Sequence, residues 1–418
     1  MNSFLENFSF YSIIKWLLIC IIIGIFSGST SAVFLLTLNW VTQYRETNSF
    51  LIWLLPICGF FIGLLYFYFG KNVVKGNNLI LEEYENPQKT IPIIMAPLVF
   101  LGTILTHLFG GSAGREGTAV QMSSSIADQI TTLFNLNNSD RKIILLLGIS
   151  AGFSSVFGTP FAGAIFALEV LFFSKINLKS CVTSFIVAFI AYFVVEFWNV
   201  HHTVYSIPFV PKINYLNFVL IITTGILFGL SAMLFSKTTY FWKKLFTKFI
   251  SYPPFRPFIG GCMVVLCVIC IGSSKYIGLG IPIISEAFHV KSESYDFLLK
   301  ILLTGITLGS GFKGGEVTPL FFIGATLGSV LSLFIPLPTA LLAGMGFVAV
   351  FSGATHTPFA CTIMGMELFG IETGIFIGMA CLIAYFSSGS VGIYQAQIVK
   401  GPKYLFYQKM KRKDIEML

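Results

Sequence analysis

A glycine-rich segment with one arginine and one glutamate, Gly110-Gly-Ser-Ala-Gly-Arg-Glu-Gly-Thr118, is the part of the sequence best suited to bind a charged ligand. The stretch that follows it is typical of a helix, so the segment is expected to lead into a helix N-terminus. Such an end presents unpaired N–H groups and a partial positive charge, which favour a bound anion. Because a carboxylate would compete with that anion, we interpret Glu116 as a gate. Its ionised side chain would fill the anion site, and its protonated side chain would leave it.

A second glycine-rich segment, Gly309-Ser-Gly-Phe-Lys-Gly-Gly-Glu-Val-Thr-Pro319, also leads into a predicted helix and carries Lys313 and Glu316. We expect both loops to point at one central site, where the carboxylates of Glu116 and Glu316 would repel each other as anions and could share a proton. The alternative is that Glu316 only forms an ion pair with Lys313 and holds the loop in place.

Enzyme chemistry is a weaker interpretation of the same residues. The pattern G-x-S-x-G around Ser112 needs a strand–turn–helix context to act as a nucleophile elbow, and the sequence before it is a long apolar stretch. His107 and His356 are expected to be packed polar groups, and the CxxC spacing of Cys267 and Cys270 lies in an apolar run without further metal ligands. We therefore expect no catalytic residues, no metal and no cofactor.

The elements that position these loops are predicted to be membrane helices. Hydrophobic residues make up 55% of the 418 residues and charged residues only 11%, far less charge than the surface of a soluble protein of this length needs. Five long stretches carry no Asp, Glu, Lys or Arg: those between residues 15 and 45, 142 and 169, 212 and 237, 316 and 367, and 372 and 400. Each exceeds the about 20 residues that span the hydrocarbon core. The fold class is therefore a polytopic all-α membrane protein.

The chain repeats its own pattern at a nearly constant offset. Five matches occur in the same order: Gly24-Ile25-x-x-Gly28 with Gly225-Ile226-x-x-Gly229, Pro56-x-x-Gly59 with Pro257-x-x-Gly260, Gly114-x-Glu116-x-Thr118 with Gly314-x-Glu316-x-Thr318, Thr159-Pro-Phe-Ala162 with Thr357-Pro-Phe-Ala360, and Ile190-Ala-Tyr-Phe193 with Ile383-Ala-Tyr-Phe386. We expect a first membrane repeat with its linker over residues 1–212, a second repeat over 213–399 and a basic cytoplasmic tail over 400–418. Charge counts alone leave open whether the repeats are parallel or inverted. Such repeats usually enclose a site at mid-membrane depth, built from broken helices.

The net charge of +8 does not indicate a nucleic-acid partner, because the positive residues lie in short loops and in the tail. Six of them follow the last apolar stretch: Lys400, Lys403, Lys409, Lys411, Arg412 and Lys413. By the positive-inside rule this end is cytoplasmic, and we expect it to touch lipid headgroups. Glu169 and Glu367 occupy equivalent repeat positions near the ends of apolar runs and are expected to be structural or interfacial.

Over residues 13–400 the chain resembles the CLC family of anion channels and anion/proton antiporters. Gly114-Arg-Glu-Gly-Thr118 matches the family signature G-[KR]-E-G-P except at its last residue, and Gly315-Glu-Val-Thr-Pro319 matches G-x-F-x-P with valine in place of phenylalanine. Tyr394 falls where the family has an anion-coordinating tyrosine. The resemblance implies two inverted repeats of tilted and broken helices, a homodimer with one pathway per subunit, and an anion site formed by Asn77, Gly114, Arg115, Gly117, Thr118, Val317, Thr318 and Tyr394.

Three departures from the chloride-transporting members indicate the subtype. Asn77 replaces an anion-binding serine, Val170 stands where chloride antiporters have an inner proton-transfer glutamate, and Glu316 is a carboxylate that they lack. Together with Thr118, these departures resemble the fluoride/proton antiporter branch of the family. That branch implies fluoride export across a bacterial cell membrane, with Glu116 and Glu316 as gating and proton-transfer residues. A chloride-selective channel or chloride/proton exchanger is the alternative.

Overall fold

The structure, a computed structural model, describes residues 10–171, 177–397 and 403. In this part of the chain the regular structure is almost entirely helical, with sixteen α-helices. The helices are α1 (Phe10–Thr47), α2 (Leu55–Phe69), α3 (Asn77–Glu85), α4 (Met95–Leu108), α5 (Glu116–Leu133), α6 (Asn138–Phe157), α7 (Pro160–Val170), α8 (Leu178–Phe197), α9 (Tyr215–Phe249), α10 (Phe255–Ile271), α11 (Ile281–Glu286), α12 (Asp296–Ser310), α13 (Val317–Leu331), α14 (Thr339–Thr355), α15 (Pro358–Phe369) and α16 (Gly374–Ser387).

The first eight helices correspond in order to the last eight. Each set opens with a very long helix, 38 residues in α1 and 35 in α9, followed by a shorter apolar helix and a very short one. The packing also corresponds, because α5 lies against α6 as α13 lies against α14, and α1 lies against α8 as α9 lies against α16. The sequence repeats are therefore structural repeats.

One side of the molecule is defined by the starts of three helices in the first repeat. At the start of α1, Trp16 lies under the ammonium of Lys179, which begins α8. Lys179 also pairs with Asp140 at the start of α6, at 2.9 Å. The next residue, Arg141, pairs with Glu83 near the end of α3, also at 2.9 Å. The starts of α1, α6 and α8 and all of α3 therefore lie on this same side.

The long helices α1 and α9 run in opposite directions. The last turns of α1 line a cavity together with residues 199–203, which follow the end of α8. Helix α9 begins shortly after those residues, and its positions 236–243 line a different cavity next to the start of α3. Because α1 ends on the side where α9 starts, the repeats are inverted, which confirms the predicted fold class.

The apolar helices have the lengths expected of a membrane protein with broken helices. Four helical segments in the described residues are long and apolar enough to cross a membrane: Phe10–Thr47, Ser49–Phe69, Leu178–Phe197 and Tyr215–Phe249. Shorter apolar helices, such as Pro160–Val170, do not reach across alone. Unsatisfied backbone at their ends is tolerated only where protein surrounds it or where it lines a water-filled cavity.

The same break occurs once in each repeat. Helix α6 is followed by Gly158, whose φ is +70°, and α14 is followed by His356, whose φ is +60°. In both places a threonine and a proline follow, and the proline takes the first position of the next helix, where its missing N–H costs nothing. The Thr-Pro pairs in the sequence therefore mark helix breaks.

The central helices pack closely because glycines face each other where they cross. A Cβ added to Gly324 of α13 would lie 2.0 Å from the carbonyl oxygen of Gly346 in α14, and the reverse distance is also 2.0 Å. In the first repeat, a Cβ on Gly148 of α6 would lie 2.5 Å from the Cα of Ser124 in α5. Small residues at such crossings let membrane helices approach closely. These contacts fix the two helices whose N-termini form the site.

Candidate anion and proton site

The two glycine-rich loops meet at the centre of the molecule. Gly114 N donates to Gly315 O and Gly315 N donates to Gly114 O, both at 2.7 Å, as an isolated antiparallel bridge. A side chain on either residue would clash, since a Cβ on Gly315 would lie 2.9 Å from the amide nitrogen of Gly117. The bridge brings the N-termini of α5 and α13, one from each repeat, to a common point.

The carboxylate of Glu116 lies at the N-terminus of α13, the helix of the other repeat. Thr318 N donates to Glu116 Oε2 at 3.0 Å, and the hydroxyl of Thr318 donates to Oε1 at 2.5 Å. The amide of Arg115 also donates to Oε2, at 3.1 Å. The Glu116 residue is only 2% exposed. A carboxylate with three donors at a helix N-terminus occupies a place that would suit another anion.

The two threonines that the repeat pairs with each other have different partners. The Thr318 hydroxyl binds Glu116, whereas the Thr118 hydroxyl is fully buried and shares a hydrogen bond with Thr103 of α4, at 2.7 Å. Val317, which precedes Thr318, is buried at the start of α13. Of these side chains, only that of Thr318 donates to the Glu116 carboxylate in this structure.

On one side of the paired loops, next to the start of α3, lies a cavity of about 160 Å³ that we call the Glu316 cavity. Glu316 lies at its edge. Lys75, Asn77, Lys243, Lys313 and Tyr394 also line this cavity. Among the described residues no ion pair joins Lys313 to Glu316. The ammonium of Lys313 instead lies 3.9 Å from the centre of the Tyr66 ring. The geometry therefore does not favour a role for Glu316 as the partner of Lys313.

Asn77 is the first residue of α3 and lies close to the glycine-rich loop. A Cβ on Gly117 would lie 2.9 Å from Asn77 Nδ2. Asn77 Oδ1 is buried and has no hydrogen-bond partner within the described residues. The two atoms of an amide are interchangeable by rotation. Asn77 can therefore present either a donor or an acceptor at this position.

Tyr394 and Asn77 stand together between the Glu316 cavity and a small apolar cavity of about 20 Å³. Val170 lines the small cavity and is buried, so no titratable side chain stands at that position. The segment that carries Tyr394 is fixed by Ile393 N, which donates to Ala354 O at 2.9 Å. The structure therefore brings Asn77, Tyr394 and Glu316 to one cavity.

A larger cavity of about 610 Å³, which we call the Arg115 cavity, lies on the opposite side of the paired loops. Arg115 lines it, and its Nε lies 3.7 Å from Glu116 Oε1. Arg45, Lys275, His201 and His202 line the same cavity, and no lining residue is shared with the Glu316 cavity. The Glu116 carboxylate therefore lies where a path between the two cavities would pass.

Glu169 and Glu367 each bind the helix N-terminus of the other repeat. Glu169 accepts hydrogen bonds from the amides of Phe359 and Ala360, at 3.1 and 2.7 Å, at the start of α15. Glu367 accepts from Phe161 and Ala162, at 3.0 and 2.7 Å, at the start of α7. These reciprocal caps agree with the structural role predicted for both glutamates.

The basic tail differs from its prediction at Lys403. The side chain of Lys403 is fully buried rather than at the lipid surface, and its Nζ lies 2.8 Å from His356 Nδ1 and 2.8 Å from Ser388 Oγ. The polar partners at the ends of α14 and α16 stabilise the buried ammonium, which composition alone could not indicate. The other residues of the predicted tail, within 400–418, lie outside the described residues.

Sequence reasoning did not identify His201, His202, Arg45 and Lys275 as residues of a common cavity. They lie in separate connections and at a helix end, without a motif that links them. His107 is a packed polar group, as predicted, since its Nε2 lies 3.3 Å from Gly114 O. No cluster of three or more His, Cys, Asp or Glu side chains that could hold a metal occurs in the described ranges.

Comparisons with known proteins agree with this architecture. The family model described as voltage gated chloride channel matches residues 58–389. A chloride/fluoride channel protein of Pseudomonas syringae pv. tomato is 47% identical over 398 residues, covering 94% of this chain and 88% of that protein. The crystal structure of a CLC-type fluoride/proton antiporter matches with a TM-score of 0.90 and 34% identity, covering 94% of this chain and 100% of that chain.

A slow cyanobacterial Cl⁻/H⁺ antiporter shares the fold, with a TM-score of 0.80 at 19% identity. The inverted repeats, the paired glycine-rich loops and the glutamate at the N-terminus of α13 are thus found together with a family match over most of the chain. This membrane protein belongs to the voltage-gated chloride channel, or CLC, family.

Proposed function

We propose that this protein is a secondary active transporter that exchanges fluoride for protons and exports fluoride. The observation that carries the proposal is the Glu116 carboxylate, which is held by Thr318 N, Thr318 Oγ1 and Arg115 N at a helix N-terminus. Donors that hold a carboxylate can hold fluoride instead, because both are compact anions that accept hydrogen bonds. A 47% identical relative is a chloride/fluoride channel protein, and a 34% identical solved structure is that of a CLC-type fluoride/proton antiporter.

Exchange follows from the competition between Glu116 and fluoride. While Glu116 is ionised, it occupies the donors of Thr318 and excludes an anion. Protonation removes the negative charge, and the neutral side chain then has less affinity for a helix N-terminus. Fluoride can take the vacated place only when the proton has arrived. Each passage of fluoride is thereby linked to a proton that moves the other way.

Glu316 is the proton-transfer partner in this proposal. It borders the Glu316 cavity together with Asn77 and Tyr394, and Val170 leaves the alternative inner position without a titratable group. A fluoride ion between two carboxyl groups would accept hydrogen bonds from either of them in its protonated form. Fluoride therefore serves as a bridge that lets Glu116 and Glu316 exchange a proton without both being ionised at close range.

The Glu316 cavity faces the cytoplasm in this proposal. Its side of the molecule, defined above by the starts of α1, α6 and α8, carries many basic residues: Lys71, Lys75, Lys89, Arg141, Lys142, Lys179, Lys243, Lys244 and Lys248. Short cytoplasmic loops are enriched in lysine and arginine. Fluoride would enter through the Glu316 cavity and leave through the Arg115 cavity, across the cell membrane of a bacterium.

The proposed assembly is a homodimer. Apolar side chains at the surface of α7, α8 and α16 are exposed in the single chain, among them Phe161 (49%), Phe193 (62%) and Ile375 (59%). A second copy would cover part of this surface, and lipid would cover the rest. Cysteine introduced at Phe161 should give disulfide-linked dimers in native membranes, whereas a monomer only would contradict the assembly.

Purified protein in liposomes tests the function directly. Vesicles loaded with fluoride should release it to an electrode and take up protons at the same time, whereas vesicles loaded with chloride should release it much more slowly. Fluoride release should drive proton uptake against an imposed pH gradient. Equal or faster chloride release would favour the chloride-selective alternative, and fluoride release without proton movement would indicate a channel.

A further inference from the structure

The Arg115 cavity holds more positive than negative charge, and most of that charge is already paired. Arg45 binds the backbone oxygen of His107 and the carboxylate of Glu46, both at 3.3 Å. Lys275 binds Asp296 at 2.6 Å. Arg115 forms only a looser ion pair, with its Nε 3.7 Å from Glu116 Oε1, and this buried Nε has no hydrogen-bond partner within the described residues. The Arg115 side chain therefore brings to this cavity a buried N–H donor that makes no hydrogen bond within the described residues.

His202 supplies a second buried polar atom without a hydrogen bond in the same cavity. Its Nε2 is buried and has no hydrogen-bond partner within the described part of the chain. The ring lies against Gly158, where an added Cβ would be 2.5 Å from His202 Cδ2, and it is hydrogen-bonded to the backbone of Val156. Because the ring is fixed in this way, Nε2 remains directed away from the Val156 contact.

The charge on His202 depends on what occupies the cavity. Burial, the nearby Arg115 guanidinium and His201 lower the pKa of His202 to about 4, while the Val156 hydrogen bond opposes them. The ring is therefore neutral near pH 7. An anion beside Arg115 would cancel part of the positive potential and would favour the protonated ring. Anion binding and proton binding at this place therefore support each other.

We propose that Arg115 and His202 form an outer fluoride site, in which fluoride accepts hydrogen bonds from Arg115 Nε and from protonated His202 Nε2. The proton comes from the solvent that fills the cavity, and fluoride arrives after it passes Glu116. The site deepens the proposed function, because it holds a departing fluoride ion and an incoming proton at the same moment, beside the gate that must exchange them. The other charged groups that face the cavity are Arg45, Glu46, Lys275 and His201.

A histidine titration tests the site without relying on transport. Protein labelled with ¹⁵N at histidine, in nanodiscs, is titrated by NMR with fluoride, with chloride and with gluconate, and His202→Gln assigns the signal. Fluoride should raise the pH at which His202 titrates by about one unit, equivalent to a tenfold preference of fluoride for the protonated ring. No fluoride-dependent shift, or an equal shift with chloride, would overturn the proposal.

Two arginine variants examine the other half of the site. In Arg115→Gln the fluoride-dependent shift of His202 should disappear, and Arg115→Lys, which keeps the charge but not Nε, should retain only part of it. A full shift in both variants would remove Arg115 from the site. The titration measures binding alone, so it can succeed or fail independently of fluoride/proton exchange.

Transport by His202→Gln gives a second readout. The variant should export fluoride several-fold more slowly, with the largest loss at acidic outer pH, where the wild-type ring would be protonated. The matched control is His289→Gln, since His289 is exposed and does not line the cavity. Equal rates in His202→Gln and the wild type at every pH would contradict a role in the pathway.

Discussion

At the scale of single residues, the candidate site is organised around the Glu116 carboxylate, which in the proposed mechanism takes the place of the transported anion. The Glu116 carboxylate lies at the N-terminus of α13, a helix of the opposite repeat. It accepts three hydrogen bonds there, from Thr318 N, Thr318 Oγ1 and Arg115 N. Its neighbour Arg115 lines the cavity on one side, and Glu316 lines the cavity on the other. The consequences of changing these side chains can be stated separately.

Replacing the gate with its permanently neutral analogue should uncouple the exchange. In Glu116→Gln the side chain can no longer be ionised, so it cannot carry a proton or exclude fluoride by charge. Fluoride flux should persist or slow down, and uphill proton uptake driven by fluoride should be lost. Proton uptake at the wild-type ratio, measured with a pH indicator inside vesicles, would contradict the gate assignment.

Asn77 is expected to influence selectivity because its amide lies beside Gly117 and the Glu316 cavity. Asn77→Ser introduces a shorter hydroxyl donor of the type found in chloride-transporting relatives. The ratio of fluoride to chloride flux should fall, in part only, since Thr318 and Glu316 are unchanged. A fluoride electrode and a chloride electrode measure this ratio in one vesicle preparation. An unchanged ratio would mean that residues other than Asn77 determine selectivity.

Glu316 and Lys313 should differ in their effects, because the described structure contains no ion pair between them. Glu316→Ala removes the proposed proton partner of Glu116 and should reduce coupled fluoride transport at least tenfold. Lys313→Met keeps the contact with the Tyr66 ring as an apolar one and should be much milder. Equal damage by both variants would favour the structural alternative, in which Glu316 only holds the loop.

At the scale of helices, the reciprocal caps have no counterpart in local sequence patterns. Helices α7 and α15 each start at the proline of a Thr-Pro pair, and proline favours the first position of a helix. The acceptors for their first amides, Glu367 and Glu169, come from the far repeat. Propensity and capping rules act over a few neighbouring residues, so they could predict the helix starts but not these partners.

Removing a cap should reduce stability and leave the chemistry intact. Glu169→Ala leaves the amides of Phe359 and Ala360 without the carboxylate, and a lost buried hydrogen bond of this kind costs about 1–3 kcal/mol. Glu367→Ala should behave alike. Thermal unfolding in detergent should shift to lower temperature in both, while the fluoride-to-proton ratio is unchanged. A changed ratio at unchanged stability would place these glutamates on the proton route.

At the scale of the whole molecule, the fold could be predicted from the sequence because the same sequence pattern occurs twice along the chain. Matches such as Pro56-x-x-Gly59 and Pro257-x-x-Gly260 identified the two repeats, and the charge-free stretches identified the membrane. Their inverted orientation could not be read from charge counts. It required the observation that α1 ends on the side where α9 begins.

The site was partly accessible for the same reason. The two loops around Glu116 and Glu316 carry strong glycine patterns, and both are at the centre of the structure. The Arg115 cavity was not foreseen, because His202 lies in an irregular linker and acquires its neighbours only through tertiary packing. Lys403 was misjudged for a similar reason, since a lysine in a basic tail is ordinarily solvated.

The reciprocal caps also bear on how the protein is made. Synthesis proceeds from the N-terminus, so α7 enters the membrane before Glu367, the acceptor of its first amides, has been translated. Glu169 is made early, but the helix that it caps is made late. Neither half supplies the carboxylate that binds the start of its own α7 or α15. The caps of α7 and α15 can therefore form only after both halves have been synthesised, which makes the two halves depend on each other for these helix ends.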